Sequence, residues 1–131
     1  MLEQHLKQLQ KELELPEPFV SQVPGIWTIP FDETLEIVAT GLKPEGFSLS
    51  CTLGQLPDHD QDAFLDHIML SNLFGQGTEG AVLGIDETEK NIVLTQHFEY
   101  DIDYQQFKDI LEDFLNSADV WYEEILEYQS E

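Results

Sequence analysis

The sequence of 131 residues contains no arginine, and its five basic residues are all lysine. Against them stand 27 Asp and Glu residues, which give a formal charge of −22. Nucleic-acid binding requires Lys and Arg side chains that neutralise phosphates, so this balance excludes a DNA- or RNA-binding protein. An anionic membrane surface should repel the chain for the same reason. We therefore expect a basic or an apolar protein partner.

Cysteine and long apolar runs are almost missing as well. Cys51 is the only cysteine, so the chain cannot form an internal disulfide, and a reducing cytoplasm is the expected location. No apolar run approaches the ~20 residues that a membrane-spanning helix needs. The first five residues lack the basic stretch and the apolar core of a signal peptide.

The apolar content is sufficient for a folded chain despite the charge. Hydrophobic residues make up 41% of the sequence and aromatic residues 11%. A chain of this length can bury roughly two-thirds of the surface that it exposes when unfolded. We therefore predict one acidic, folded domain over residues 1–131.

The period of the apolar residues changes along the N-terminal half. Over residues 2–14 leucines recur at helical spacing, which predicts a first helix with a thin apolar stripe. Further on, apolar and polar residues alternate, as they do in half-buried strands. These runs predict three consecutive antiparallel strands at 25–29, 35–39 and 47–53.

Residues 59–74 return to helical spacing and predict a second helix. Asp58 and Gln61 have the spacing of a capping box, in which the carboxylate accepts backbone N–H bonds. The apolar face covers much of the circumference, so we expect this helix to pack on two bodies at once. The residues of that face are Phe64, Leu65, Ile68, Met69, Leu70, Leu73 and Phe74.

The C-terminal part predicts a hairpin followed by a long helix. The hairpin combines residues 81–85 with residues 91–98. The last helix keeps one apolar face, which includes Trp121, and Asp103 with Gln106 forms its predicted cap. The predicted order is therefore α-β-β-β-α-β-β-α, an α/β chain of the α+β class with an antiparallel sheet.

Several patterns resemble functional motifs, but each lacks the context that its chemistry needs. Residues 75–80 match G-x-G-x-x-G, yet this loop follows a predicted helix and opens a strand, the reverse of a dinucleotide site. Asp58, Asp60 and Asp62 resemble the start of a calcium loop that then lacks its glycine and its final glutamate. Cys51 alternates with polar neighbours and is expected to be buried rather than reactive. We predict no catalytic residue, no metal site and no cofactor, hence a protein that is not an enzyme.

A series of local features follows in a fixed order in the second half of the chain. A leucine-rich second helix ends in Asn-Leu-Phe, and a glycine-rich turn, a Leu-Gly-Ile-Asp hairpin and a last helix with Ala-x-x-Trp come after it. These features lie in residues 64–74, 77–85, 92–96, 100–103 and 114–121. In this order they resemble the class I secretion chaperones of bacterial type III systems, the Tir chaperone (CesT-like) family. Through its element order the resemblance covers nearly the whole chain.

The resemblance implies a cytoplasmic bacterial protein that forms dimers, each subunit having a twisted antiparallel sheet and three helices. The second helix and neighbouring strands would form the interface with a second copy or with a related chaperone subunit. The N-terminal segment of a secreted effector would wrap around the dimer in extended form, without nucleotide or cofactor, and stay soluble and export-competent. The dimer contacts implied in this chain are Ile68, Met69, Leu73 and Phe74. The implied effector contacts are Leu6, Leu9, Leu13, Trp27, Ile29, Leu35 and Ile37.

The charge leaves a second interpretation open. An acidic regulator could bind a basic protein, for example a transcription component, by mimicking the charge of nucleic acid. Ionic strength separates the two interpretations, because charge mimicry weakens steeply with salt whereas the insertion of apolar side chains does not.

Overall fold

The computed structural model describes residues 1–73, 80–88 and 90–130. In those ranges it contains three helices and a six-stranded antiparallel sheet. The elements are α1 Leu2–Glu12, β1 Val20–Val23, β2 Ile26–Pro30, β3 Glu36–Gly41, β4 Phe47–Gln55, α2 Gln61–Asn72, β5 Val82–Ile85, β6 Asn91–Phe98 and α3 Tyr104–Ser130. The predicted α+β class with an antiparallel sheet and helices is confirmed.

Strand β1 is the element that the sequence prediction missed. It forms a hairpin with β2, with Val23 opposite Ile26 and with Gly25 in the turn at a φ of +83°. All residues of β1 are exposed, so the strand shows no alternation of buried and exposed positions that periodicity could detect. The Pro24–Gly25 pair, a common turn dipeptide, was the available signal.

The sheet has the order β1-β2-β3-β4-β6-β5. The central strand β4 places Cys51 opposite Ile37 of β3 and Leu94 of β6. These three side chains are buried in the cluster that also contains the apolar residues of the helices. Their neighbours Val38 and Ser50, which point to the opposite face, are only partly covered. The core therefore lies between the helices and one face of the sheet.

Helix α3 begins with the capping box that its sequence predicts. The backbone N–H of Gln106 donates to Asp103 Oδ1 at 2.8 Å, and the backbone N–H of Asp103 donates to Gln106 Oε1 at 3.2 Å. The two bonds satisfy N–H groups that a helix start otherwise leaves unpaired. The predicted apolar face is buried along the helix, at Phe107, Leu111, Phe114, Ala118, Trp121 and Ile125.

The capping box predicted for the second helix is wrong. Helix α2 begins at Gln61, and its N-cap residue is Asp60, whose φ is +50° and whose side chain makes no capping bond. Gln61 Nε2 donates instead to the carbonyl oxygen of Pro57 at 2.8 Å. A side-chain cap normally needs an N-cap residue with extended backbone, and the left-handed conformation of Asp60 does not provide it.

Cys51 is buried, as its alternation with polar residues predicts. Burial raises the pKa of its thiol from 9.0 to about 11, and the carboxylates of Asp32 and Glu36 add to the rise. The native thiol therefore stays protonated at pH values at which the unfolded thiol ionises. Its contribution to stability is present below pH 9 and is lost as the pH rises towards 11.

At pH 8 we expect iodoacetamide to alkylate Cys51 in the native protein at least roughly 100-fold more slowly than in the urea-unfolded chain. Alkylation needs an accessible thiolate, which the native state supplies only by opening. Intact-mass spectrometry over time measures both rates. Equal rates in the two states would contradict the buried position of Cys51.

Candidate protein-binding site

Helix α2 has one buried and one exposed apolar face. Phe64 and Ile68 belong to the core, whereas Met69 and Leu70 are each 69% exposed and Leu73 is 54% exposed. We call these last three residues the α2 surface. Exposed apolar residues that are clustered in this way are typical of surfaces that bind another protein.

Helix α2 is held on two sides by polar contacts. His67 Nε2 lies 2.8 Å from Glu124 Oε2 of α3, and the His67 ring centre lies 5.3 Å from that of Trp121. At the C-terminal end of α2 the side-chain amide of Asn72 makes two hydrogen bonds of 2.8 Å with the backbone of Leu83 in β5. The α2 surface is therefore carried by a helix whose position is set by both α3 and β5.

Further exposed apolar residues lie in β1, at the edge of the sheet opposite β5, and on the chain that leads from α1 to β1. Leu13 follows α1, and Val20 and Val23 lie in β1; their side chains are 57%, 58% and 54% exposed. Leu15 is also exposed. We call these four residues the β1 surface. Because β1 is an edge strand, this surface combines apolar side chains with the unpaired backbone groups of a strand.

A cavity of about 260 Å³ lies between α1 and the chain that leads into β1. Trp27 is half-buried there, and Leu6 and Phe19 line the same cavity. Large aromatic side chains that line a cavity can contact an apolar group of a partner. Trp27 thus remains available for a contact on the helix side of the sheet, close to the chain that leads into β1.

The apolar stripe of α1 is buried against the subunit's own core. Tyr104 Oη donates to Glu12 Oε2 at 2.8 Å, and Lys108 Nζ lies 2.9 Å from the same oxygen. The hydrogen bonds to Lys108 and then to Tyr104 hold the pKa of Glu12 below its ordinary value. At the other end of α1, His5 Nε2 lies 2.8 Å from the carbonyl oxygen of Ile102. These contacts fix α1 on the start of α3.

The structure divides the predicted effector contacts. Leu13 is exposed and Trp27 is half-buried, so both can contact a partner. The expectation that the others lie on an accessible surface is wrong, because each is at most 5% exposed. The buried residues are Leu6, Leu9, Ile29, Leu35 and Ile37. The stripe of α1 and the alternating residues of the strands are each one-sided, as their spacing predicts, and both belong to the same core cluster.

The predicted dimer contacts are divided in a similar way. Met69 and Leu73 belong to the exposed α2 surface, and Leu70 joins them. Ile68 is 5% exposed and packs in the core of its own subunit. Phe74 lies outside the described residues, as does the glycine-rich turn up to residue 79.

Acidic side chains border the outer face of the sheet. A cavity of about 580 Å³ next to the β2–β3 turn is lined by Asp32, Glu33 and Glu36 together with Ser50 and Thr52. Hydrogen bonds from Thr34 and then from Leu35 hold the pKa of Asp32 below its ordinary value, so this carboxylate is charged at neutral pH. The cavity favours a neutral or basic group over an acidic one.

Neither a metal site nor a membrane span is found in the part of the chain that the structure describes. In residues 1–73, 80–88 and 90–130 no three His, Cys, Asp or Glu side chains are placed to hold a metal ion. Over the same ranges no helix combines the length and the apolarity needed to cross a bilayer.

The sequence and the fold are similar to those of known proteins. The Tir chaperone protein (CesT) family model matches residues 4–122. A protein of Chlamydia pneumoniae, CPj0713/CpB0740, is 29% identical over 126 residues, which cover 95% of this chain and 96% of that protein.

Solved structures share the fold at low sequence identity. A chain of the ExsC–ExsE complex superposes with a TM-score of 0.77 at 16% identity and covers 95% of this chain and 92% of that one. A chain of the HopA1–SchA chaperone–effector complex gives a TM-score of 0.71 at 20% identity, and the match covers 93% of each chain. A chain of the structure of the Yersinia pestis type III secretion chaperone SycH in complex with a stable fragment of YscM2 gives a TM-score of 0.65 at 16% identity, and the match covers 92% of this chain and 98% of that one. The fold is thus common to these structures, and because the family match spans most of the sequence, the chain belongs to the Tir chaperone protein (CesT) family.

Proposed function

We propose that this protein is a type III secretion chaperone of the bacterial cytoplasm. It binds the N-terminal segment of a secreted effector in extended form and keeps that segment soluble and competent for export. It acts by binding, without catalysis or a cofactor, and residues 1–131 work as one domain. Membership of the Tir chaperone family supports this function, and the HopA1–SchA structure, which has the same fold, is described as a chaperone–effector complex.

The observation that carries the proposal is the edge strand β1 with its apolar surroundings. All residues of β1 are exposed, and Leu13 and Leu15 lie on the chain that leads to it, also exposed. An extended segment of a partner can pair with the backbone of such an edge, while its apolar side chains contact the β1 surface. Backbone bonds then supply affinity for any extended chain, and the apolar contacts supply selectivity.

The charge of the protein defines which segments can bind. At a net charge of −22 the surface repels acidic chains and admits neutral or basic ones. The acidic cavity beside the β2–β3 turn can accept a basic side chain of the bound segment. The same charge keeps the complex soluble although the bound segment is unfolded.

The α2 surface is the proposed contact with a second subunit, either another copy or a related chaperone. Met69, Leu70 and Leu73 are exposed on a helix that α3 and β5 hold firmly in place. An apolar surface of this kind is self-complementary when it lies on a twofold axis. The two proposed contacts lie at opposite edges of the sheet, so one subunit can use both at once.

The acidic regulator remains as the second candidate function, and the net charge is the observation that favours it. A partner with a basic surface would be attracted over a long range by the 27 carboxylates, which only five lysines offset. Such a complex would depend on charge rather than on the β1 surface.

We expect Val20→Asp combined with Val23→Asp to weaken effector binding by roughly 100-fold, because each substitution replaces an apolar contact by a carboxylate. The probe is the N-terminal fragment of an effector that co-purifies with this protein from its native host. Isothermal titration calorimetry at 50 and 500 mM NaCl measures the affinity.

The matched control is Val120→Asp combined with Leu126→Asp on α3. Both side chains are exposed and the added charge is the same, so we expect this variant to bind like the wild type. If the affinity collapses in 500 mM NaCl and the β1 variant binds as tightly as the control variant, the result favours the acidic regulator as the function and contradicts the chaperone.

A further inference from the structure

The sheet ends in two edge strands, β1 on one side and β5 on the other. An edge strand of an antiparallel sheet presents N–H and C=O groups that have no neighbouring strand, and these groups can pair with another extended chain. Both edges could therefore receive a partner segment unless one of them is closed. The contacts of β5 and β1 differ in this respect.

At β5 a side chain takes the place of a neighbouring strand. Asn72 Nδ2 donates to the carbonyl oxygen of Leu83 at 2.8 Å, and the backbone N–H of Leu83 donates to Asn72 Oδ1 at 2.8 Å. Leu83 lies opposite Leu94 in the β5–β6 ladder. Its N–H and C=O groups point away from β6, because antiparallel partners alternate between bonding each other and bonding outward. One amide thus satisfies both outward groups of Leu83.

The position of Leu83 makes this closure effective. Strand β5 has four residues, Val82–Ile85, and Val82 and Gly84 alternate with Leu83, so their backbone groups point inward to β6. Ile85 is the other outward-pointing residue, and it is the last of the strand. An added strand would find its central pairing position occupied and only a terminal one left.

Strand β1 shows no comparable closure in the part of the chain that the structure describes. There, the side-chain hydrogen bond to its backbone is made from within the strand, by Ser21 Oγ to the carbonyl oxygen of Val23 at 3.0 Å. In residues 1–73, 80–88 and 90–130 no side chain of another element bonds to the backbone of β1.

We propose that Asn72 is a positioning residue that closes the β5 edge and thereby directs an extended partner segment to β1. The side-chain amide has the donor and the acceptor of a peptide group, so it acts as a one-residue substitute for a strand. The same bonds hold the C-terminal end of α2, and with it the α2 surface, against β5. The statement that the segment binds at β1 rests on the proposed function, whereas the closure of β5 does not.

The closure is tested by amide hydrogen exchange in the full-length, ¹⁵N-labelled protein, measured by NMR for the wild type and for Asn72→Leu. We expect the Leu83 amide to exchange roughly fivefold to tenfold faster in the variant, the factor that one lost hydrogen bond accounts for. The Val82 amide bonds to β6 and should change less than twofold. A merely structural role of Asn72 would accelerate both amides together and would overturn the proposal.

Ser71→Ala is the matched control variant. Ser71 Oγ donates to the carbonyl oxygen of His67 at 2.9 Å, a hydrogen bond that lies within α2 and does not involve β5. We expect this variant to leave the exchange of Leu83 unchanged. Equal exchange of Leu83 in the wild type and Asn72→Leu would show that the amide does not close the edge.

The edge at which the segment binds is tested by adding the effector fragment to the wild-type protein. We expect amides of residues 20–23 to gain protection of at least tenfold and the amide of Ile85 to gain none. Protection of Ile85 without protection of residues 20–23 would overturn the proposal that the segment binds at β1. Failure of any effector fragment to bind would contradict the proposed function, while the ratio of Leu83 to Val82 exchange would still decide the closure of β5.

Discussion

Met69→Asp combined with Leu73→Asp is expected to convert a dimer into a stable monomer. Both side chains are more than half exposed in the subunit, so the fold tolerates the carboxylates. In the proposed dimer the same positions are buried, and the unpaired carboxylates there, two from each subunit, would cost together about 4 kcal/mol or more, which raises the dissociation constant roughly 1000-fold. Sedimentation equilibrium at 50 µM should give 15.1 kDa for the variant and twice that mass for the wild type.

The charge of the subunits makes the apolar contact necessary. Two chains that each carry a net charge of −22 repel each other, so added salt should strengthen the wild-type dimer by screening that repulsion. Val120→Asp with Leu126→Asp adds the same charge at exposed positions of α3 and should leave the dimer intact. A wild-type monomer at 50 µM in 500 mM NaCl, with no second chaperone subunit that restores a pair, would contradict the role of the α2 surface.

Trp121→Ala is expected to lower the free energy of unfolding by about 3–5 kcal/mol, the usual cost of removing a large aromatic side chain from a core. Trp121 is 4% exposed and lies on the buried face of α3. Its ring also packs beside His67 of α2, so the cavity would loosen the contact between the two helices. Urea unfolding followed by far-ultraviolet circular dichroism measures the change.

Val120→Ala is the control for this substitution. Val120 precedes Trp121 on the same helix but is exposed, and surface substitutions usually change stability by about 0.5 kcal/mol or less. We expect a distinct separation between the two unfolding midpoints. Coinciding midpoints would show that Trp121 does not hold α3 in the core.

Local sequence signals predicted the elements whose two faces differ. Helix α3 and its cap of Asp103 and Gln106 were predicted because the apolar period and the capping box both depend on residues a few positions apart. Strands β3 and β4 were predicted because one of their faces is buried. Strand β1 was missed because both of its faces are exposed. The cap at Asp58 failed because the backbone of Asp60 turns left-handed.

The binding surfaces could be predicted only in part. The sequence identified Met69 and Leu73 as members of a wide apolar face and Leu13 as the end of an apolar stripe, and all three are exposed. It also assigned Leu6, Leu9 and Ile37 to the partner, and the structure buries them. Periodicity shows which side chains share a face of a helix or strand, but not which element packs against that face.

The sequence by itself determined the charge, the class of fold, the helices and most strands, since these follow from composition and from interactions between near neighbours. Tertiary structure alone decided which apolar faces stay free. The stripe of α1 is buried because Glu12 and His5 hold it on the start of α3. The outer face of α2 stays exposed in the subunit because the helix packs in the core through its other face, with Phe64 and Ile68. Contacts between residues far apart in the chain, such as Asn72 with Leu83, leave no periodic signal, and they determine which edge of the sheet remains open.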